Sequence, residues 1–232
     1  MRTLAGSVAG SSINGTGVQL ATNLVTSTLL NISANSGASG LGFNQTSGNI
    51  TGTGGLNINA NQASTLGNIS LTTAAGALLA NVTNGNLTLN GNLSSGGNLT
   101  LMAGSQNAAG VASGGNVTVG TAQSMTANTS GSGGTIIIYS GAPNASNTTT
   151  TGYQTLAGAN ATTTSKTYNI SAASGAVNAS QTLNVFYRVA PNLTITALTN
   201  SKVYDTTNNT AAGNYTVSGM IDGDTFNVSA SS

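Results

Sequence analysis

The chain has no cysteine and no histidine. The first absence excludes disulfides and thiolate metal sites. With both absent, neither can serve as a general base or a nucleophile. Charge is nearly missing too: charged residues are 3% of the chain, against roughly 25% in ordinary globular domains. The net charge of +1 gives no basic footprint for nucleic acid and no acidic patch for cations. Disorder driven by charge repulsion needs the opposite balance. Aromatics are 4% of the chain, and much of its 38% hydrophobic content is alanine, so a conventional globular core is hard to build. No apolar run approaches the roughly 20 residues of a membrane span, and Met1-Arg2-Thr3-Leu4-Ala5-Gly6 lacks the apolar core of a signal peptide. We therefore expect no nucleic-acid partner and no membrane insertion. A chain without cysteine suits threading through a secretion pore. The last residues, Asn227 to Ser232, carry no closing signal, and an internal fragment of a longer protein is expected.

What the sequence has is a phrase: Gly, Asn, an aliphatic residue, then Ser or Thr. It stands at Gly48-Asn49-Ile50-Thr51, Gly67-Asn68-Ile69-Ser70, Gly85-Asn86-Leu87-Thr88, Gly91-Asn92-Leu93-Ser94, Gly97-Asn98-Leu99-Thr100 and Gly115-Asn116-Val117-Thr118. The anchors Ile13, Ile32, Ile50, Ile69 and Leu87 recur at about 18 or 19 residues, a spacing of stacked repeats. A phase break follows, with Leu93 and Leu99 at short steps, and the long step resumes to Val117 and Ile136. A short step nested in a long one predicts a coil with three faces, each a strand and a turn.

The strands alternate. Leu56 and Ile58, Ile69 and Leu71, Leu87 and Leu89, Leu99 and Leu101, Val117 and Val119, and Ile136 and Ile138 sit two apart, mostly with Asn, Ser or Thr between. That period puts aliphatics on one strand face and polar groups on the other. Gly, Asn and Ser fill the gaps, where positive φ is needed or tolerated, and the composition disfavours helix. Parallel stacking at about 4.8 Å per coil predicts a right-handed parallel β-helix of about seven or eight coils, somewhat under 40 Å long. The Asn before each anchor is placed to bond coils above and below.

The pattern stops after Tyr139. Pro143 and the run Thr148 to Thr151 read as a loop or irregular coil over 142–166. From Thr167 the texture changes: most aromatics and charges lie there, and Thr182 to Tyr187 and Leu193 to Leu198 read as longer strands around Pro191. The expected organisation is a β-helical rod over 1–141, the irregular segment over 142–166, transition strands over 167–198 and the start of an antiparallel β module over 199–232.

That last stretch, Lys202-Val203-Tyr204-Asp205-Thr206-Thr207, Tyr215-Thr216-Val217-Ser218-Gly219-Met220 and Gly223-Asp224-Thr225-Phe226-Asn227-Val228-Ser229, resembles the start of the Tyr-Asp-Gly repeat domain of filamentous-haemagglutinin-like bacterial exoproteins and adhesins. Leu193-Thr194-Ile195-Thr196-Ala197 resembles the strand leading into it. Thr206 stands where that domain usually has glycine. The repeat half is similar to the haemagglutinin shaft. The resemblance covers about the last 40 residues specifically and implies two-partner secretion, with an outer-membrane secretion partner, folding outside the cell and a place on the bacterial surface.

No chemistry stands out. The carboxylates are Asp205, Asp222 and Asp224, and a lyase or hydrolase on such coils would need acidic or basic groups that the coils lack. We expect no enzyme, no catalytic residue, no cofactor and no metal site. Asp222-Gly223-Asp224 offers oxygen ligands for calcium, but a turn in which Asp bonds its own backbone is the favoured reading. The many Asn-X-Ser/Thr triplets would be glycan acceptors in a eukaryotic secretory protein; here they arise from the repeat phrase. An ice-binding face would need Thr in register, and Thr51 and Thr72 do not read as aligned with Thr88, Thr100 and Thr118. The functional expectation is an adhesin stalk or spacer, able to contact a host surface. The alternative is a self-assembling extracellular filament or biofilm-matrix subunit, since uncapped coils expose pairing edges.

Overall fold

Alternating aliphatic and polar residues become short strands throughout the computed structural model. It describes residues 2–12, 15–122, 124–127, 134–143, 149–172, 174–198, 215–221 and 224–225. The strands are β1 Arg2–Ser12, β2 Val18–Leu20, β3 Leu24–Ser36, β4 Phe43–Gln45, β5 Asn49–Gly52, β6 Leu56–Ala60, β7 Ser64–Leu66, β8 Asn68–Leu71, β9 Leu78–Val82, β10 Leu87–Leu89, β11 Leu93–Ser94, β12 Leu99–Ala103, β13 Val117–Val119, β14 Met125–Thr126 and β15 Ile136–Ser140. Helix α1 (Thr150–Ala157) follows, continued by a 3-10 turn over Gly158–Asn160, and then β16 Thr164–Tyr168, β17 Leu183–Tyr187, β18 Thr194–Ala197 and β19 Tyr215–Ser218. The chain divides into two compact units, Met1–Ala190 and Pro191–Ser232.

The first unit is mostly β, with parallel pairing. Strands β2, β4, β7, β10 and β13 stack as a five-stranded sheet. A larger, strongly curled sheet has two wings. One wing runs from the start of β3 through β5, β8 and β11 to β14, and the other from the second half of β3 through β6, β9 and β12 to β15. The long β3 belongs to both wings, and β1 lies parallel beside it. The chain therefore visits the same three faces in the same order, laying each strand triplet on the one before.

Apolar columns result. Leu30, Leu56, Leu78, Leu99, Ile136 and Leu183 are successive partners, as are Leu24, Ile50, Ile69, Leu93 and Met125. All eleven are buried in one core, and each stabilises the fold by roughly 1.5–3 kcal/mol relative to exposure.

The register corrects the even step read from the sequence. Ile32, Ile50 and Leu87 lie on three different faces; Ile32 pairs with Ile58, Ile50 with Ile69, and Leu87 with Val117. Ile13 lies outside the described residues. Equivalent positions are separated by unequal steps: 26 residues from Asn31 to Asn57, 22 from Asn59 to Asn81, 30 from Thr88 to Thr118 and 37 from Asn98 to Thr135. Strand registry is held by the core, while turns absorb length differences on the surface. Five such triplets are described, with β1 beside the first and β17 and β16 added beyond β15.

Glycine serves the turns in two ways. Gly85 has φ 108, in the region closed to most side chains. Gly91 is needed for proximity instead: a Cβ there would lie 2.1 Å from the carbonyl carbon of Gly67.

The segment 142–166, read from sequence as irregular, contains α1. Its residues are poor helix formers, but the Thr149 hydroxyl accepts from Gly152 N at 3.0 Å and caps the helix. Tyr153, Leu156 and Ala157 bury one face. Tertiary burial overrides propensity here. The chain then places β16 outermost and returns to insert β17 between it and β15, all parallel. The apolar β17 takes the central position; the polar β16, with Lys166, takes the edge, as edge protection requires.

In the second unit β18 and β19 pair antiparallel, Thr194 opposite Ser218 and Ala197 opposite Tyr215. Residues 199–214, including Lys202, Tyr204, Asp205 and Thr206, lie outside the described residues, as do Asp222, Gly223 and 226–232.

Candidate functional site

The outward surface of the stack is built from the polar half of each strand and from the turns. No Asp, Glu, Lys or Arg lies between Arg2 and Lys166, so the chemistry available is that of amides and hydroxyls. Most of the Asn residues before the anchors are used structurally. Asn23 Oδ1 accepts from Asn49 N at 2.8 Å, Asn68 Oδ1 from Asn92 N at 2.8 Å, and Asn92 Oδ1 from Ser124 N at 3.1 Å. At a second corner Asn86 Oδ1 accepts from Asn116 N, and Asn116 Oδ1 from Ala142 N, both at 2.8 Å. At the third, Asn98 Oδ1 accepts from Thr135 N at 3.0 Å. The corners thus join triplets by side-chain carbonyl to backbone N–H bonds, which satisfies donors that a turn would otherwise leave unpaired. The Asn-X-Ser/Thr triplets are the visible trace of this arrangement.

Thr65, Thr88 and Thr118 form one in-register column, with the Thr88 and Thr118 hydroxyls 3.0 Å apart. Thr51 pairs with Ser70, and Thr100 with Leu79 and Ile137. These threonines therefore stand on different faces and make no continuous Thr array.

A concavity interrupts the surface, and its origin is turn length. Gly67 alone separates β7 from β8. The equivalent turns on either side are longer: Thr46-Ser47-Gly48 joins β4 to β5 below, and Asn90-Gly91-Asn92 joins β10 to β11 above. The short turn leaves a notch of 510 Å³ lined by Asn44, Thr46, Ser47, Thr65, Asn68, Asn90 and Thr121 with neighbouring backbone. A second depression of 320 Å³ continues it over Thr51, Ser70 and Ser94. Asn49 and Asn68 border both. Buried Gln45 braces the floor: its Nε2 donates to Gly48 O at 3.0 Å and Asn68 O at 3.1 Å, and its Oε1 accepts from Gly67 N at 3.0 Å.

The other distinctive region closes the stack. Val117, on the outermost strand of the five-stranded sheet, turns backbone groups away from its partner strand; its N–H donates to Ser140 Oγ at 3.2 Å and its carbonyl accepts from the Tyr153 hydroxyl of α1. Tyr153 is fully buried. Arg188, just after β17, is 3% exposed and uses its guanidinium on carbonyls of the β12–β13 connection. Nη2 donates to Gly115 O at 2.8 Å and Ser113 O at 3.1 Å, and Nη1 to Ala103 O. Burial holds its pKa below the ordinary arginine value.

On the outer side of the same strands, Ile137, Tyr139 and Phe186 make a second small core with Met102, Ile170 and Ala172. Tyr139 and Phe186 stack at 4.7 Å. The Tyr139 hydroxyl donates to Gly175 O at 3.0 Å, and burial raises its pKa. Sequence reading missed this cluster, although the unbroken run Ile136-Ile137-Ile138-Tyr139 signalled a strand buried on both faces. It also missed the notch, whose signal was the shortened turn at Gly67, and the bonding of Arg188, which nothing local announces.

Asp222 cannot be placed with Asp224, since Asp222 lies outside the described residues; Asp224 N donates to Ile221 O at 3.2 Å, a turn bond. Among the described residues no cluster of three or more His, Cys, Asp or Glu side chains could hold a metal, and no helix is long and apolar enough to cross a membrane. No family model, curated protein or solved structure matches the chain.

Proposed function

We propose that residues 1–141 are a right-handed, three-faced parallel β-helix and that the chain is part of a secreted, cell-surface bacterial exoprotein in which it acts as an adhesin stalk or spacer. The observation that carries this reading is the repeated laying of strand triplets in parallel, with apolar columns inside and uncharged amides and hydroxyls outside. Such a unit lengthens by adding coils and holds its form without catalytic groups, which is what a spacer needs. The resemblance of the C-terminal stretch to the Tyr-Asp-Gly repeat domain supports export by an outer-membrane partner and a place outside the cell.

The filament alternative needs free strand edges at both ends of the stack. At one end of the stack, that of β13 and β16, Tyr153 and Ser140 occupy backbone groups of Val117 and Lys166 stands on the β16 edge; both features oppose growth through that end, and end-to-end growth needs both. Negative-stain microscopy over a concentration series tests the choice. Short, monodisperse particles at every concentration are the expected result. Long uniform fibres would overturn the spacer reading in favour of the filament.

A further inference from the structure

The notch over β7 and β8 interrupts the repetitive surface with a concavity. We propose that it binds a short neutral oligosaccharide laid along the third strand triplet, from Thr65 around the Gly67 turn to Ser70. This inference is independent of whether the chain serves as a spacer or a filament.

Four observations carry it. The notch is shaped by chain length, a one-residue turn between longer ones, and its 510 Å³ and 320 Å³ lobes share Asn49 and Asn68, so the concavity continues from one sheet to the next. The larger lobe falls in the size range of small-molecule sites. Its floor is braced from beneath by Gln45, whose three bonds hold the turn, so the shape exists before a ligand arrives. Its lining is entirely neutral, because no ionisable side chain contributes. A phosphate, carboxylate or ammonium would lose its hydration there with no opposite charge in return.

The remaining choice is between a neutral polar chain and a peptide strand. Strand β7 is paired to β4 and β10, and β8 to β5 and β11. The floor thus has no free strand edge for a peptide to extend. What it presents is amides and hydroxyls. The Thr46, Ser47 and Thr121 hydroxyls already donate to backbone carbonyls, and Asn68 Oδ1 accepts from Asn92 N, which leaves hydroxyl lone pairs and amide N–H groups to face a ligand. A ligand hydroxyl both donates and accepts, so it can meet either kind of group, and a sugar carries several in a row. The lining has no aromatic ring on which a sugar face could stack, so binding is weak per site and depends on hydrogen bonds that replace ordered water. Repetition in a longer surface would compensate through avidity.

The test is saturation-transfer NMR and titration calorimetry on the full chain with three neutral tetrasaccharides, a cello-, a malto- and a galacto-oligomer, and with a tetragalacturonate as the charged probe. At least one neutral probe should bind in the millimolar range, with the uronate at least tenfold weaker. Asn90→Trp, at an exposed turn position, and Thr65→Arg should each weaken that binding at least tenfold. Thr100→Arg, on another face, should leave it unchanged. Far-UV circular dichroism checks folding, and Asn90→Trp alone decides the matter if Thr65→Arg perturbs the strand. Absence of transfer to every neutral probe, equal binding of the uronate, or full binding by Asn90→Trp would each overturn the proposal.

Discussion

In the stack from β3 to β14 the strands bury one face and turn mostly polar residues outward, whereas β15 and β17 bury residues on both faces and add a stacked aromatic pair, a helix and a buried arginine. The first region is redundant: the same corner bond and the same aliphatic column recur, so one substitution removes one copy. The closing region is singular, since Tyr153 and Arg188 each make contacts repeated nowhere else among the described residues. A parallel stack must end somewhere, and its last strand carries N–H and C=O groups with no next strand to meet them. The difference teaches that ending a repeat demands different residues from continuing it.

The sharpest way to break this comparison is to remove the helix side chain that meets the last strand. Tyr153→Ala should cost about 4 kcal/mol, as for other buried aromatic truncations, read from the urea midpoint, and should leave the Val117 carbonyl without that hydroxyl. A loss under about 1 kcal/mol would mean that α1 is merely tethered. Next in size is Arg188→Met, which keeps much of the packing but strands the carbonyls of Gly115 and Ser113. About 3 kcal/mol is expected, because hydrogen bonds from a charged group to buried acceptors are among the stronger ones. Amide exchange should speed up in the β12–β13 connection before it does elsewhere.

The redundant region should respond less. Asn68→Ala removes one corner bond, to Asn92 N, and about 1 kcal/mol is expected, with the other corners undisturbed. A loss as large as that of Arg188→Met would show that the corner bonds act as one cooperative ladder. The smallest effect is that of pH. The described stack has no titrating acid or histidine, so its thermal midpoint should be flat through the neutral range. Tyr139 has a raised pKa, so the unfolded state ionises first and releases a proton. Stability is therefore lost as pH rises above about 10, the ordinary tyrosine value. Tyr139→Phe should flatten that alkaline fall; an unchanged fall would place its origin in another group.

Much of the stack was legible because period-two alternation reports burial directly. Ile50, Ile69, Leu87, Leu93, Leu99, Val117 and Ile136 are all buried as their spacing predicted. The corner Asn residues also bond to the neighbouring triplet, through the side-chain carbonyl and a backbone N–H. Which anchor lies over which was not legible. An even step of aliphatics is produced as readily by moving to the next face as by completing a circuit, and only turn lengths decide. Helix α1 was hidden because Thr150, Thr151 and Gly152 argue against a helix locally, and only the burial of Tyr153 and Leu156 rewards it. The contacts of Arg188 span 73 residues or more to Gly115, Ser113 and Ala103, a separation at which no local pattern reports. The notch was present in the sequence as residues missing from a turn, a signal that emerges only once the turns are aligned by face.

The central claim is that unequal circuits of chain lie in strict register, and the absence of cysteine makes it directly testable. A Thr88→Cys, Thr118→Cys variant places two thiols at positions paired across β10 and β13, where the native hydroxyls are 3.0 Å apart. Mild oxidation should form that disulfide almost completely within single chains, since paired strand positions meet its geometric needs. The control pair, Thr88→Cys with Gln106→Cys, follows the even step and should stay reduced. Cross-linking of the control pair, with none between positions 88 and 118, would contradict the account.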